Sequence, residues 1–183
     1  MCSHKNNHPF AFINLMRLLI RPEAPADTAA IEAVTVAAFR NAPHSSLTEH
    51  FIVRALREAG QLSVSLVADD DGTVVGHVAV SPVTISDGTV GWYGLGPVSV
   101  APDRQRRGIG AQLVEHALSE LRRTGASGCV VLGEPDYYSR FGFITEPSLT
   151  LHGVPPEYFQ AVTFAGPLPV GEVSYHESFA AQG

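Results

Sequence analysis

The chain has 183 residues, a formal net charge of -6 at pH 7, 45% hydrophobic and 16% charged residues, enough apolar material for one sizeable core and a length typical of a single domain. The acidic balance argues against a nucleic-acid groove, which needs surplus Lys and Arg to displace phosphate counterions, and 17 glycines and 13 prolines without a repeating period exclude collagen-like, repeat-array and low-complexity chains. Cys2 and Cys129 lie too far apart for a metal knuckle or a redox pair and make no disulfide framework, so a reducing cytoplasm is the expected location.

At the N-terminus, even the stretch Phe10 to Ile20 contains Asn14 and Arg17 and falls short of the roughly 20 uninterrupted apolar residues that span a bilayer, so no membrane partner is expected. Lys5, the apolar stretch from Pro9 and the small residues Ala24 and Ala26 loosely imitate a secretory leader. Cleavage there would remove Leu18, Leu19 and Ile20, which read better as the first core strand. His4 and His8 have no further ligands nearby, and no metal is expected. Residues 1 to 15 read as a disordered extension, with Met16 a candidate start, and residues 16 to 183 as one domain.

Residues 17 to 21 form a short apolar strand, broken by Pro22 to Pro25, and the alanine-rich Asp27 to Phe39 follows as a helix. Ser46 and Glu49 make an S-x-x-E capping box ahead of Leu47, Phe51, Ile52, Ala55 and Leu56, a helical stripe that Gly60 closes. Leu62 to Ala68 and Thr73 to Val80, joined through Asp69-Asp70-Asp71-Gly72, read as an antiparallel hairpin. Val90 to Val100 is a further strand. Ile109, Leu113, Ala117 and Leu121 then recur every four residues, which predicts a helix ended by Arg122, Arg123 and Gly125. Cys129 to Leu132 is a buried strand whose crossover from the preceding strand implies parallel pairing. Residues 135 to 141 make a short helix at most, and weak strands near Ser148 to His152 precede a clearer one at Val170 to Phe179. The order is α+β with a mixed sheet.

The chemistry concentrates in Gly94 to Gly110, between a strand and the best helix. Gly108 and Gly110 lack side chains at the helix start, so a ligand can approach backbone N–H groups that have no intrahelical partner, where the helix dipole adds positive potential. That arrangement suits a pyrophosphate, and Arg104, Arg106 and Arg107 place three of twelve basic residues beside it; a solvated loop with a glycine helix start is the plain alternative. Lys5 is the only lysine, so no P-loop exists. Position 113 is Leu, so the third glycine of a dinucleotide fingerprint is missing.

Gln105-Arg-Arg-Gly108-Ile-Gly110 matches Q/R-x-x-G-x-G/A, the pyrophosphate loop of the GNAT superfamily of acyl-CoA-dependent N-acyltransferases, and downstream Tyr138-Ser-Arg-Phe-Gly-Phe143 looks like that family's Y-x-[KR]-x-G-F segment. The chain from about Arg17 to Phe143 resembles the family in element order, and Leu132-Gly-Glu-Pro-Asp-Tyr-Tyr138 resembles a bacterial subgroup of predicted acetyltransferases. The resemblance implies a three-layer fold with helices on both faces of a mostly antiparallel sheet, whose one parallel pair splays around acyl-CoA. Pro97 fits such a splay, since proline in a strand marks an edge or bulge.

Mapped by motif position, Val98, Ser99 and Val100 would lie along pantetheine, and Gln105, Arg106, Arg107, Gly108, Ile109, Gly110 and Ala111 would cradle the pyrophosphate. Tyr138 corresponds to the tyrosine beside the thioester sulfur, where a phenol can protonate the departing thiolate; the adjacent Tyr137 is separated from it by motif register alone. The strand before the loop carries no Asp or Glu, so the general base is open between Glu134, His77 and proton loss to solvent. The resemblance implies an N-acetyltransferase in which a primary amine attacks acetyl-CoA directly, with N–H groups near Val98 polarising the thioester carbonyl. The alternative is an acyl-CoA-binding sensor with weak or no catalysis. A homodimer is the candidate assembly. Cys129, in an apolar strand without a histidine partner, reads as an inert core thiol.

Overall fold

A computed structural model of the chain describes residues 18–43 and 45–183. The expected extension of residues 1 to 15, with Cys2, His4 and His8, lies outside the described residues, as do Met16 and Arg17.

The apolar segment after Arg17 forms β1 (Leu18–Pro22), antiparallel to β2 (Val64–Asp70). Between them lie two helices, α1 (Thr28–Phe39) and α2 (Glu49–Glu58). A 3-10 turn over Pro25–Asp27 precedes α1, with the Asp27 carboxylate accepting the Ala24 N–H at 2.7 Å. The capping box before α2 is half formed. Glu49 Oε1 accepts the Ser46 N–H at 3.2 Å, but the Ser46 hydroxyl pairs with Thr48 Oγ1 at 2.6 Å. The cap position therefore moves to Thr48, and Leu47, expected on the buried stripe, has φ 62° and is 56% exposed.

The hairpin β2 to β3 (Thr73–Ile85) continues into β4 (Trp92–Val100), all antiparallel. α3 (Ile109–Arg123) crosses over to β5 (Gly128–Leu132), which pairs parallel to β4, as the crossover required. β3 runs past Val80 through Pro82, and Val83–Ile85 pairs with β8 (Gly171–Tyr175). β8 in turn pairs parallel with β6 (Leu149–Leu151). Sequence periodicity overextended the last strand: a 3-10 turn takes Glu177–Ala180. It also missed β7 (Phe159–Thr163), antiparallel to β5, where Phe159, Gln160 and Ala161 are consecutively buried and no alternation shows. The resulting strand order is β1-β2-β3-β4-β5-β7.

Helices cover both faces. On one, Ile109, Leu113, Val114, Ala117, Leu118 and Leu121 of α3 pack onto Leu66, Val78, Val80, Leu95 and Val131. On the other, Ile31 of α1 and Val53 of α2 cover Val67 and Ala79. Fully burying each such aliphatic side chain contributes about 1.5–3 kcal/mol before entropy is counted, so the α3 face anchors the N-terminus of that helix against the sheet.

The sheet opens at one place. β3 and β4 pair at Val78↔Val98 and Val80↔Leu95, leaving Ala79 opposite both Gly96 and Pro97, a bulge on β4. The β4–β5 pairing stops at Leu95↔Val131. Beyond the bulge the two parallel strands part.

Candidate functional site

Main-chain direction past the bulge follows from the ladder. Ala101 N–H donates to the Val75 carbonyl at 2.9 Å. Antiparallel pairing alternates, so Ser99 exchanges its main-chain bonds with His77, while the main-chain groups of Val98 and Val100 point away from β3, into the gap left by β5. The Val100 carbonyl there accepts the Gln105 side-chain amide at 3.1 Å.

The side chains divide in the opposite sense. Val98 and Val100 lean toward the α3 layer, whereas Ser99 is buried on the other face with its hydroxyl 3.0 Å from Thr35 Oγ1 of α1. Of the three strand residues mapped to the cofactor, Val98 and Val100 therefore line the gap, and Ser99 tethers β4 to α1.

The gap continues into the start of α3. Gly108 occupies the cap position at φ 81°, with no side chain capping the helix, and the first intrahelical bond runs from Gln112 N–H to the Gly108 carbonyl at 3.1 Å. The N–H groups of Ile109, Gly110 and Ala111 precede that bond and have no carbonyl one turn back. Arg106, also left-handed at φ 60°, bends the loop just before them. A side chain at Gly110 would meet the Tyr137 hydroxyl at 3.1 Å from its Cβ.

Together these groups line a cleft of about 590 Å³. Val98, Val100, Gln105, Arg106, Gly108, Ile109, Gly110 and Ala111 are on its wall; Arg107 is exposed and is not. Arg104 is on the wall as well, paired with Asp70. The opposite wall comes from Ala38, Phe39 and Ala42 at the end of α1, which no motif in the sequence marked.

Tyr137 and Tyr138 both reach the cleft from α4 (Pro135–Tyr138), a single turn with Glu134 at its cap. Their rings meet edge to face at 5.0 Å, and Arg140, also on the wall, lies 4.6 Å from the Tyr137 ring centroid. Tyr138 packs on Phe143 at 5.9 Å and fills the space beside Gly133, where any Cβ would collide with its ring. Burial pushes the Tyr138 phenol well above its usual range, with Tyr137 and Cys129 adding to the effect, and burial raises Tyr137 too.

Neither carboxylate nor imidazole proposed as a base stands on the wall. Glu134 is exposed, and its carbonyl accepts the N–H groups of Tyr137 and Tyr138 at 3.1 Å each. His77 is fully buried on the face covered by α1 and α2, its Nε2 2.8 Å from Ser65 Oγ. The Ser65 hydroxyl donates to Glu23, which Arg57 grips in a bidentate pair at 2.8 and 2.9 Å. Burial lowers the His77 pKa against the pull of Glu23, and because the Ser65 proton goes to Glu23, the bond between Ser65 and the ring has Nε2 as its donor. Burial likewise drives the Cys129 thiol far up, consistent with an inert core residue.

No helix among the described residues is long and apolar enough to cross a membrane. The family model for an acetyltransferase (GNAT) domain matches residues 61–145. An uncharacterised N-acetyltransferase, YhbS of Escherichia coli strain K12, is 35% identical over 176 residues, covering 88% of this chain and 98% of its own. The structure of YhbS from Escherichia coli in complex with CoA superposes with a TM-score of 0.83 at 34% identity, over 99% of this chain and 98% of that one. A GNAT family acetyltransferase from Brucella melitensis in complex with acetyl-CoA gives 0.80 at 48% identity, over 90% and 99%.

Proposed function

This chain belongs to the GNAT family of N-acetyltransferases, and from that membership we propose that acetyl-CoA is its acyl donor, a primary amine its acceptor, and direct attack its mechanism. One observation carries the reading: the main-chain groups that the β4 bulge turns into the gap are continuous, in one cleft, with the uncapped N-terminus of α3. A thioester with an amide-bearing arm and a pyrophosphate needs both features in that order. The Brucella and Escherichia coli relatives hold acetyl-CoA and CoA.

In this scheme the pyrophosphate sits on the N–H groups of Ile109, Gly110 and Ala111, with Arg104, Arg106 and Arg140 supplying charge. Pantetheine amides pair with Val98 and Val100, and the Val98 N–H polarises the thioester carbonyl. The amine nitrogen attacks the carbonyl carbon; the C–N bond forms, the C–S bond breaks, and the departing thiolate takes the Tyr138 proton. A phenol held above its ordinary pKa is protonated at neutral pH, as a proton donor must be. The incoming ammonium loses one proton to water before attack and the nitrogen loses a second as the amide forms, with Glu134 proposed to act through that water, since its side chain is off the cleft wall; water then returns a proton to the Tyr138 phenolate. A cytoplasmic location and a homodimer belong to the same proposal.

The test is calorimetric titration with CoA, followed by thiol release from acetyl-CoA across an amine panel. Saturable CoA binding and turnover on at least one amine are expected. Absence of CoA binding by a folded protein would overturn the donor assignment, and tight CoA binding without turnover on any amine would leave a sensor.

A further inference from the structure

A second, smaller cavity lies behind the acyl-CoA cleft and shares a wall with it. Its volume is about 150 Å³, and Thr35, Val36, Phe39, Arg40, Glu49 and His50 line it. Phe39 lines both cavities. Thr35 bonds Ser99, so the small cavity comes within one side chain of β4 where its main chain turns into the gap, on the face opposite α3.

The polar groups of this cavity are unevenly satisfied. Glu49 Oε1 accepts from Ser45 Oγ at 2.9 Å and from Ser46 N–H at 3.2 Å. Its second oxygen, Oε2, is buried with no hydrogen-bond partner among the described residues. A buried carboxylate oxygen left unmatched carries a desolvation cost that a cation removes. Arg40, on the same lining, has no ion-pair partner among the described residues. Arg40 is exposed and solvated, so the buried Glu49 oxygen is the unmatched group, and the two charges on one lining fit a zwitterion. At roughly 30 Å³ per small polar group, a cavity of this size holds about five non-hydrogen atoms, the number in an α-amino acid head.

We propose that the cavity behind Phe39 binds the head group of a free α-amino acid, ammonium to Glu49 and carboxylate to Arg40. This rests on the acetyltransferase reading and narrows it. An ammonium held by a carboxylate has no lone pair to attack with, so the nucleophile is a second nitrogen on the same molecule. The acceptor is then a diamino acid, whose side-chain amine passes Phe39 to the thioester.

Calorimetric titrations into CoA-saturated protein test this with lysine and ornithine, norleucine (head group, no side-chain amine), cadaverine (two amines, no carboxylate) and lysine blocked at both its α-amino and carboxyl groups. Norleucine should bind as well as at least one diamino acid and compete with it without being acetylated. Cadaverine and blocked lysine, each lacking a charge-assisted contact, should bind about tenfold more weakly or worse. Glu49→Gln keeps an acceptor for the Ser46 N–H and should weaken norleucine about tenfold. Val36→Phe fills the cavity from the other helix, leaves the bonds of Glu49 alone, and should abolish norleucine binding. Both variants should keep CoA affinity. Equal binding of blocked and free lysine, unchanged norleucine affinity in both variants, or no norleucine binding to a CoA-competent protein overturns the inference while leaving the donor reading intact. Failure of CoA itself to bind strikes the donor reading instead.

Discussion

The parted end of β4 and the buried cluster around His77 lie on neighbouring stretches of the same sheet, since His77 of β3 is the cross-strand partner of Ser99. They treat polar groups in opposite ways. Around His77 the chain satisfies itself: Arg57 grips Glu23, Ser65 bridges Glu23 and the imidazole, and only His77 Nδ1 is without a partner. At the wedge the chain withholds partners. The main-chain groups of Val98 and Val100 face a gap in which the Val100 carbonyl meets the Gln105 amide, and three N–H groups open α3 without a cap. On the proposed reading, titratable groups gathered in a cluster are the structural feature here, and main-chain groups turned to the gap are the functional one. On the same ground His77, a residue type suited to base catalysis, belongs to the scaffold.

The sharpest way to break this contrast is at Gly110. A valine there meets the Tyr137 hydroxyl and crowds the amides beside it. Losing about two charge-assisted hydrogen bonds corresponds to roughly 10²–10⁴ in CoA affinity, measured by calorimetry, while circular dichroism stays native. Wild-type affinity in a folded Gly110→Val protein would remove the wedge from the mechanism.

Next in size is the hydroxyl of Tyr138. Tyr138→Phe keeps the ring against Phe143 and should lower kcat by about 10² at unchanged CoA affinity, whereas Tyr137→Phe should cost little. A CoA thiolate leaves readily, so the low end of the range for general acids applies. If Tyr137→Phe is the slow enzyme, the proton comes from the other ring.

On the scaffold side, Glu23→Gln should leave kcat near wild type and lower unfolding stability by about 2 kcal/mol, less than for a fully buried pair because both partners retain some solvent contact. The same cluster sets a pH dependence. Since the His77 pKa is lowered in the folded protein, its contribution is intact above the unfolded value near 6.5 and is lost as pH falls, because the unfolded chain then takes a proton that the folded one refuses. Glu23 is pushed up by burial, but hydrogen bonds from Arg57 and Ser65, with the His77 N–H close by, more than offset this, so its loss begins only below about 4.5. The melting temperature should fall between pH 6.5 and 5, and His77→Gln should flatten that slope; an unchanged slope would detach the cluster from acid sensitivity.

The smallest effect is expected from replacing Arg106 and Arg107 together with Gln. Both are exposed, so CoA binding should weaken by less than about tenfold and the difference should shrink at high salt. A loss independent of salt would mean that one of them is held in direct, desolvated contact.

That Gln105 to Gly110 would shape a helix start and that Tyr138 would stand near it was legible in the sequence, because an approachable backbone at a helix N-terminus constrains residue type locally, and the fold brings the two segments to one cleft. The period of α3 and the β4–α3–β5 crossover were legible for the same reason, since one amphipathic helix between two apolar strands admits few arrangements. The N–H groups of Ile109 to Ala111 and the break at Pro97 thus follow from short stretches of chain.

What only the tertiary structure decided involves partners far apart in sequence. Phe39 becomes the wall between two cavities because α1 packs beside β4. Ser99, turned from the gap by strand alternation, finds Thr35 of α1 as its partner on the other face. Strand β7 exists because β5 offers it an edge, although Phe159–Thr163 shows no alternation of its own. Glu49 reads locally as half of a helix cap, and it is the fold around it that buries one of its oxygens without a partner. Local spacing fixes which backbone groups a chain can leave open; which side chains come to face them depends on how distant elements pack, and no short pattern encodes that.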